Sequence, residues 1–268
     1  METEACVAAQ WPSFEARCNL DAAKLSFQEH GYICCPNYLS DSELQLLQGE
    51  IDRYKNEIVP TLPPKAVFYE DKDRPKDTII RCEGMHNHDD FFNRLLCSPA
   101  FNGLVDCLLG EPCEGNNMQF FSKPPGAKAT PPHQDGQYFM HDQGVTLWLA
   151  LDRATEENGC MFYADGSHKQ GLLEHVRTDQ LGFSQQLKDY GQDLCDTEKC
   201  MAVEPACLLG HHPYTVHRAN PNASTSHWRP ALGLTYWAKS CRNDAELHKR
   251  RQVYQEQLMN KLETEGRI

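Results

Sequence analysis

The chain has 268 residues, 40% of them hydrophobic and 24% charged, so it is long enough for one large globular domain and too short for two enzyme domains with a linker. Its formal net charge of -12 excludes a surface that follows nucleic-acid phosphates, because such binding needs clustered lysine and arginine. No apolar run reaches the length of a membrane span, and the acidic N-terminus lacks the features of a signal peptide, so we expect a cytoplasmic protein with no membrane partner.

The cysteines show no pairing pattern. Thirteen of them are scattered between Cys6 and Cys241 without C-x-x-C spacing. Zinc sites and disulfide frameworks need paired spacing, so the sequence indicates neither. We therefore expect reduced thiols, as in most cytosolic proteins.

The first elements along the chain are predicted to be two helices with a strand between them. A helix is expected from Ala22 to Glu29, ending at Gly31, and a short strand from Tyr32 to Cys35 follows. Ser40 and Glu43 then form a capping box, which marks the start of the second helix. Apolar residues recur behind it at the spacing of one helical face, at Leu44, Leu47, Ile51, Tyr54 and Ile58.

A loop and another helical stretch come next. Thr61 to Arg74 is rich in proline and charge and has no sustained period, which indicates a long surface loop and a candidate lid. Phe91 to Leu109 again has helical spacing, with a break near Ser98-Pro99. Residues 21–110 are therefore expected to be mainly helical.

Beyond Gly110 the sequence is typical of a sheet. Turn-rich connections such as Glu157-Asn158-Gly159 separate short apolar stretches. These stretches are Met118 to Phe121, Val145 to Leu151, Cys160 to Tyr163, Ala206 to Leu209 and Leu232 to Trp237. Gly171 to Asp193 is expected to help shape a pocket, and Ala245 to Leu262 is predicted to be a polar surface helix.

This order of elements predicts a single domain over residues 1–268. We divide it into a tail over residues 1–20, mainly helical support over 21–110, a sheet-forming core over 111–240 and a C-terminal helix over 241–268. Helices followed by a run of strands indicate an α+β, mainly β fold in which the N-terminal helices pack on an antiparallel sandwich.

His133-Gln134-Asp135 places an imidazole and a carboxylate two residues apart. In an extended segment both side chains project from the same face, so one metal ion could take both. A distant histidine would complete a facial triad, which leaves three positions open for a chelating keto acid and O2. We choose His217 as this ligand, with His211 and His212 as its competitors on the same stretch.

Arg229 lies twelve residues after His217, far enough for a turn and a return strand beside the metal. A guanidinium can hold a carboxylate through two parallel hydrogen bonds. A chelating iron site together with such a clamp is what 2-oxoglutarate needs, because its keto acid end binds the metal and its far carboxylate needs a cation. The pair predicts a 2-oxoglutarate-dependent oxygenase.

These residues, in this order and together with the short sequence motifs around them, resemble the phytanoyl-CoA dioxygenase family. The resemblance runs from about Ala22 to Lys239. Besides the four residues above, it rests on His30-Gly31-Tyr32, Trp148-Leu149-Ala150-Leu151-Asp152, Glu157-Asn158-Gly159-Cys160, Gly166-Ser167-His168, His217-Arg218-Ala219-Asn220-Pro221-Asn222 and Arg229-Pro230-Ala231-Leu232.

The resemblance implies a double-stranded β-helix, a cupin-like jelly roll with Fe(II) at one open end. It also implies His133, Asp135 and His217 as the iron ligands and Arg229 as the 2-oxoglutarate clamp. Further co-substrate contacts are expected at Met118, Gln119 and Trp148, and substrate contacts at Tyr138, Phe139 and Arg81.

We predict from these features a non-haem Fe(II)- and 2-oxoglutarate-dependent dioxygenase. It would hydroxylate or otherwise oxidise a small organic metabolite or acyl conjugate with O2, and release succinate and CO2. The alternatives are a Zn(II)-binding hydrolase on the same ligands and a non-catalytic jelly-roll binding protein. The sequence leaves open the identity of the substrate and the choice between monomer and homodimer.

Overall fold

A computed structural model describes residues 14, 15, 17–70, 78–178, 185–245, 247, 249, 252, 253 and 256. The described part consists of a helical layer, a seven-stranded sheet, a facing four-stranded sheet and one small hairpin. No helix within these residues is long and apolar enough to cross a bilayer. The predicted C-terminal helix falls largely outside them.

The first two helices begin and end close to where the sequence places them. Helix α1 spans Leu20–His30 and ends at Gly31, whose φ of 84° is accessible to glycine at little cost. Helix α2 spans Asp41–Arg53 and continues into a π-helical turn over Tyr54–Ile58. Both hydrogen bonds of the predicted capping box form, from the Ser40 N–H to Glu43 and from the Glu43 N–H to Ser40. The capping prediction is confirmed.

The second helical stretch is split where proline predicts it. Helix α3 covers Asp90–Leu96 and helix α4 covers Pro99–Leu109. The predicted lid differs from expectation, because a 3-10 turn and strand β2, Val67–Tyr69, form inside it. Strand β2 pairs with the next strand of the chain, so this segment joins the edge of a sheet. Its last residues, 71–74, lie outside the described part.

The large sheet carries most of the backbone pairing, and all its pairings are antiparallel. Besides β2, its strands are β1 Tyr32–Cys35, β3 Ile79–Glu83, β4 Cys113–Lys123, β6 Gly144–Ala150, β11 Leu208–His211 and β13 Arg229–Ala238. Their order is β1-β11-β6-β13-β4-β3-β2. The long strands β4 and β13 lie inside the sheet, and short strands form both edges.

The second sheet faces the first across a small apolar interior. Its strands are β5 Thr130–His133, β7 Met161–Ala164, β10 Glu198–Met201 and β12 His217–Ala219, in the order β10-β7-β12-β5. Trp148 and Ala231 of the large sheet pack in one buried cluster with Met161 and Ala219 of the small sheet. Two facing antiparallel sheets are the arrangement that a jelly roll requires.

The two faces of the large sheet have different neighbours. On one face, Leu147, Leu234 and Met118 pack with residues of α2, α3 and α4 in the main hydrophobic cluster. The opposite face, which carries Trp148, turns toward the small sheet. Since side chains alternate along a strand, residues of the same parity share a face.

The segment Gly171 to Asp193 contains more structure than the sequence predicts. Strands β8 His175–Arg177 and β9 Gln185–Leu187 form a separate antiparallel hairpin. Helix α6, Gln192–Asp196, begins where the segment ends. Residues 179–184 lie outside the described part.

One pair of cysteines contradicts the expectation that all thiols are reduced. Cys18 and Cys35 form a disulfide, with Cα atoms 5.8 Å apart. Helix α1 and strand β1 fold back on each other, which brings Cys18, two residues before the helix, next to the last residue of the strand. Because this proximity comes from the helix-strand hairpin and not from a short sequence spacing, the sequence pattern does not reveal it. Ten other described cysteines are free.

Candidate metal centre

His133, Asp135 and His217 meet inside the jelly roll. One ligand atom of each lies within 4.8 Å of the others. Oδ1 of Asp135 is 3.8 Å from Nε2 of His133 and 3.7 Å from Nε2 of His217. His133 ends β5 and His217 begins β12, and the two residues are direct partners in the register of the small sheet. Strand pairing therefore sets the separation of the imidazoles.

The carboxylate reaches the histidines by a turn, and the prediction of an extended segment is wrong at this point. Asp135 has φ -64° and ψ -27° and precedes the short helix α5, Gly136–Phe139. The turn is fixed by packing, since a Cβ at Gly136 would lie 2.5 Å from the ring of Tyr214. The N–H of Gly136 also donates to the carbonyl of Pro213. Tertiary contacts thus override the local preference for strand.

Both imidazoles are oriented by the nitrogen that faces away from Asp135. Nδ1 of His133 is 2.8 Å from the carbonyl oxygen of Pro131, and Nδ1 of His217 is 3.0 Å from that of Thr215. A carbonyl only accepts, so Nδ1 of each ring is the protonated nitrogen. Each Nε2 is left with a lone pair that points toward Asp135, as metal ligation requires.

The second carboxylate oxygen of Asp135 is held by neighbouring strands of the large sheet. Oδ2 lies 3.0 Å from Nε2 of His211 and accepts from the hydroxyl of Thr146 at 2.5 Å. Nδ1 of His211 lies 3.0 Å from the hydroxyl of Tyr163. His211 therefore hydrogen-bonds the second carboxylate oxygen, while its ring centre lies 4.2 Å from that of His217. His212 lies farther off, against Phe27.

The surroundings favour the protonation states that bind a metal. Burial lowers the pKa of His133 and of His217, so both rings are neutral at neutral pH. Burial alone would raise the pKa of Asp135, but the His211 hydrogen bond and the adjacent imidazoles hold it well below its usual range. Two neutral imidazoles and one ionised carboxylate suit a divalent cation of the first transition series.

Arg229 has the parity of Ala231, which packs in the same interior. It is the first residue of β13, only 6% exposed, and its guanidinium stands 5.1 Å from the ring centre of Trp148. None of the residues that the structure describes accepts a hydrogen bond from its Nε or Nη1. Burial lowers the pKa of Arg229 to about 10, which still leaves it charged at neutral pH. A buried cation with free donors needs an anionic ligand.

Comparison with known sequences assigns this architecture to a family. The sequence profile of phytanoyl-CoA dioxygenase matches residues 27–231, which is more than half of the chain. The chain belongs to the phytanoyl-CoA dioxygenase family. The predicted class of enzyme, an Fe(II)- and 2-oxoglutarate-dependent dioxygenase, is thereby confirmed.

Relatives of this dioxygenase family come from bacteria and animals. The chain is 25% identical over 206 residues to a probable alpha-ketoglutarate-dependent hypophosphite dioxygenase of Stutzerimonas stutzeri, a match that covers 74% of this chain and 72% of the relative. It is 23% identical over 230 residues to the peroxisomal phytanoyl-CoA dioxygenase of Homo sapiens, which covers 80% and 67% of the two chains.

Solved structures confirm the predicted jelly-roll fold. EctD from S. alaskensis with 2-oxoglutarate and 5-hydroxyectoine is 16% identical, with a TM-score of 0.66 over 85% of this chain and 81% of that one. The epimerase SnoN in complex with Fe3+, alpha ketoglutarate and nogalamycin RO is 20% identical, with a TM-score of 0.65 over 82% and 83%.

Of the two neighbouring residues expected at the co-substrate pocket of this dioxygenase, the structure brings only Gln119 to the interior. Gln119 pairs with Gly233 of β13, which in turn pairs with Trp148 of β6, so the three share one face. Met118 has the opposite parity and packs in the cluster beneath the helices. The side chain of Met118 is thus placed away from Arg229, because strand parity and not proximity in sequence decides the face.

The three residues expected to contact substrate lie in different surroundings. Arg81 pairs with Phe121 across β3 and β4, and its guanidinium lies 5.2 Å from that ring. The ring of Tyr138 is 6.4 Å from that of His133, with its hydroxyl near the backbone of Gln185. Phe139 packs farther out, 6.0 Å from the ring of Trp237.

Gln134, between His133 and Asp135, has a role that the sequence did not predict. Gln134 is fully buried, and its amide donates to the carbonyls of Gly171 and Tyr214 and accepts from the N–H of Leu173. It ties the metal-binding turn to the loop before β8. A polar residue between two ligands was the available signal, but its partners are distant in sequence.

Proposed function

We propose that His133, Asp135 and His217 hold the Fe(II) of this dioxygenase and that Arg229 binds the distal carboxylate of 2-oxoglutarate. The observation that carries the proposal is the uncompensated guanidinium of Arg229 in the same interior as the triad. A zinc hydrolase on the same ligands has no use for this buried cation. The triad alone would suit either enzyme.

The spacing between triad and clamp supports this co-substrate. Thr146, which contacts Asp135, and Trp148, which contacts Arg229, point from the same face of β6 two residues apart. Two residues of a strand span roughly 6.8 Å. That separation suits a five-carbon diacid with one end at the metal and the other at the guanidinium.

The chain's own residues prepare the centre for this chemistry. Nδ1 of each histidine is held by a carbonyl, and Oδ2 of Asp135 is held by His211 and Thr146, so the ligand atoms are fixed before metal arrives. When bound, Fe(II) supplies the oxygen activation that couples decarboxylation of 2-oxoglutarate to oxidation of a C–H bond.

We propose a small organic metabolite or an acyl conjugate as the substrate, in contact with Tyr138, Phe139 and Arg81. The position of Arg81 beside the ring of Phe121 supports this, because it places a cation, ion-paired with Glu83, next to an aromatic surface. Relatives are named for hypophosphite, methylphosphonate and phytanoyl-CoA. Phosphonates, carboxylates and acyl-CoA thioesters are the first compounds to screen for stimulated succinate formation.

The test of the cofactor site is an anaerobic titration of the apoprotein with Fe(II) and 2-oxoglutarate, followed by the visible charge-transfer band of the chelate. Wild type should develop the band, and Asp135→Ala and Arg229→Gln should weaken it at least tenfold in apparent affinity. Arg153→Gln is the matched control, because Arg153 is exposed and pairs with Glu204 on the surface. If metal binds and no band appears, the proposal is wrong and a Zn(II)-binding hydrolase becomes the favoured function.

We also propose that residues 1–268 act as one catalytic domain in the cytoplasm. Ten free cysteines support a reducing compartment, whereas the Cys18–Cys35 disulfide speaks against it. Rapid alkylation in cell lysate followed by mass spectrometry distinguishes a reducing from an oxidising compartment, since an oxidised pair of cysteines escapes labelling. Quantitative labelling of both residues would support the cytoplasm.

A further inference from the structure

A second buried cation lies next to Arg229. Lys123 is the last residue of β4, and it is the direct partner of Arg229 in the pairing of β4 with β13. Lys123 lies on the same face of β4 as Gln119 and Phe121, and this face is turned toward the interior. Lys123 is 7% exposed and Arg229 is 6% exposed. Lysine and arginine are almost never buried to this extent without partners.

The structure makes room for the side chain of Lys123. Gly159 has a φ of 91°, and a Cβ there would lie 2.9 Å from Cδ of Lys123 and 2.6 Å from the carbonyl oxygen of Asn220. The same carbonyl accepts a hydrogen bond from Nζ of Lys123. The glycine of the Glu157-Asn158-Gly159 turn therefore leaves the space in which this lysine is seated.

No anion within the described residues compensates the two cations. Neither Lys123 nor Arg229 forms a salt bridge there, and Nε and Nη1 of Arg229 donate to none of the described residues. The thiol of Cys160 is near both, but burial raises its pKa to about 12, so it is neutral. Burial and the repulsion of Arg229 lower the pKa of Lys123 to about 7. A ligand with a negative group would compensate Arg229 and would favour the protonated, cationic form of Lys123.

We propose that Lys123 is a second cationic contact for the distal carboxylate of the 2-oxo acid, and that it determines the preference for a dicarboxylate co-substrate. The inference rests on the proposed function of Arg229. Arg229 supplies a forked pair of donors, and Lys123 supplies a third donor from the neighbouring strand. A 2-oxo acid that lacks the distal carboxylate would leave both cations buried without an anion, which the site should penalise.

The experiment compares two 2-oxo acids of equal chain length. Fe(II)-loaded protein is titrated anaerobically with 2-oxoglutarate and with 2-oxopentanoate, which lacks only the distal carboxylate. The charge-transfer band gives a Kd for each. In wild type, 2-oxoglutarate should bind far more tightly. In Lys123→Met, binding of 2-oxoglutarate should weaken about ten- to hundredfold, the expected loss for one charge-assisted hydrogen bond in a buried site.

The discriminating result is the ratio of the two constants. Binding of 2-oxopentanoate should not weaken in Lys123→Met, because there is no carboxylate for Lys123 to contact. Lys123→Arg should recover most of the preference for 2-oxoglutarate. Lys128→Met is the matched control, since Lys128 is exposed on the loop after β4. A merely structural role would weaken both acids together.

Equal loss for both acids, or no loss for either, overturns the inference. If Lys123→Met does not give a cooperative thermal transition, Lys123→Gln, which keeps a polar end group of similar length, is titrated instead and judged by the same ratio. Failure of the proposed function looks different. In that case wild type shows no band with 2-oxoglutarate, and Arg229→Gln changes nothing.

Discussion

His211 lies with Nε2 3.0 Å from Oδ2 of Asp135, whereas Nε2 of His133 and Nε2 of His217 lie 3.8 Å and 3.7 Å from Oδ1. Since an ionised carboxylate only accepts, Nε2 of His211 donates, and its Nδ1 accepts from the hydroxyl of Tyr163. The hydrogen bond orients the carboxylate so that Oδ1 faces the two imidazoles. His211 is a positioning residue for the metal centre.

Replacing His211 should therefore weaken metal binding without removing a ligand. We expect His211→Phe to lower the affinity for Fe(II) about ten- to hundredfold, because the outer partner of a ligating carboxylate is lost. Anaerobic competition with a chromogenic chelator measures this. His211→Gln, which keeps a donor, should retain more affinity, and His212→Gln serves as the control. Wild-type affinity in His211→Phe would contradict the assigned role.

Gln134 should be a major contributor to stability. Its side chain makes three buried hydrogen bonds, so Gln134→Ala leaves two carbonyls and one N–H without their partner. We expect the free energy of unfolding to fall by about 3 kcal/mol in urea denaturation. Gln143→Ala, at an exposed site, should change it by less than about 0.5 kcal/mol. A similar small change at both positions would refute the prediction.

Cys34 should be the most readily alkylated of the exposed thiols that the structure describes. Its sulfur lies 3.7 Å from that of Cys207, and a hydrogen bond from Cys207 lowers the pKa of Cys34 to about 7. The rate of iodoacetamide labelling, followed by peptide mass spectrometry, should rise with pH to a midpoint near that value. Cys207→Ala should move the midpoint toward about 8.5, the ordinary value for cysteine. An unchanged midpoint would exclude the hydrogen bond as the cause.

The buried ammonium of Lys123 should cost the ligand-free protein stability at neutral pH. Its folded pKa is lowered to about 7, whereas the unfolded chain holds the proton up to about pH 10.4. The unfolded state therefore binds more protons between these values, and the free energy of unfolding should rise with pH from 7 to 10. Urea denaturation at several pH values, without metal or 2-oxo acid, measures this slope.

The matching variant is Lys123→Met. It should lack the contribution of Lys123 to the slope and should be about 1–4 kcal/mol more stable than wild type at pH 7, because an unpaired buried cation is replaced by an apolar side chain. This gain would accompany the loss of co-substrate affinity, as is common at functional sites. A variant less stable than wild type at pH 7, with the slope unchanged, would show that Lys123 is compensated in the fold.

Local patterns predicted much of this structure. The capping box at Ser40 and the apolar periodicity after it found α2, and the proline at position 99 found the break between α3 and α4. The four residues of the proposed cofactor site could be singled out because their residue types and order are constrained by the chemistry. These features depend on neighbours in sequence or on a chemical requirement, and both can be read from one chain.

Other features depend on packing that no local pattern encodes. Strand β12 has three residues and exists because β5 and β7 pair with it, and the turn at Asp135 exists because Tyr214 fills the space beside Gly136. Met118 and Gln119 face opposite sides of the sheet because side chains alternate along a strand. The sequence does not show which side is which when both faces of a strand are covered. The partnership of Lys123 with Arg229 needs the register of two strands far apart in sequence.

Strand β5, which ends at His133, lies at the edge of the small sheet and contains Pro131 and Pro132. An edge strand ordinarily offers its free backbone N–H groups to any other chain that is able to add a strand, and this is a common route to aggregation. Two successive prolines have no such donors. The segment that presents the first histidine is therefore a poor template for a foreign strand, and the opening of the barrel is protected against intermolecular β-sheet growth by the residues that lead into its metal centre.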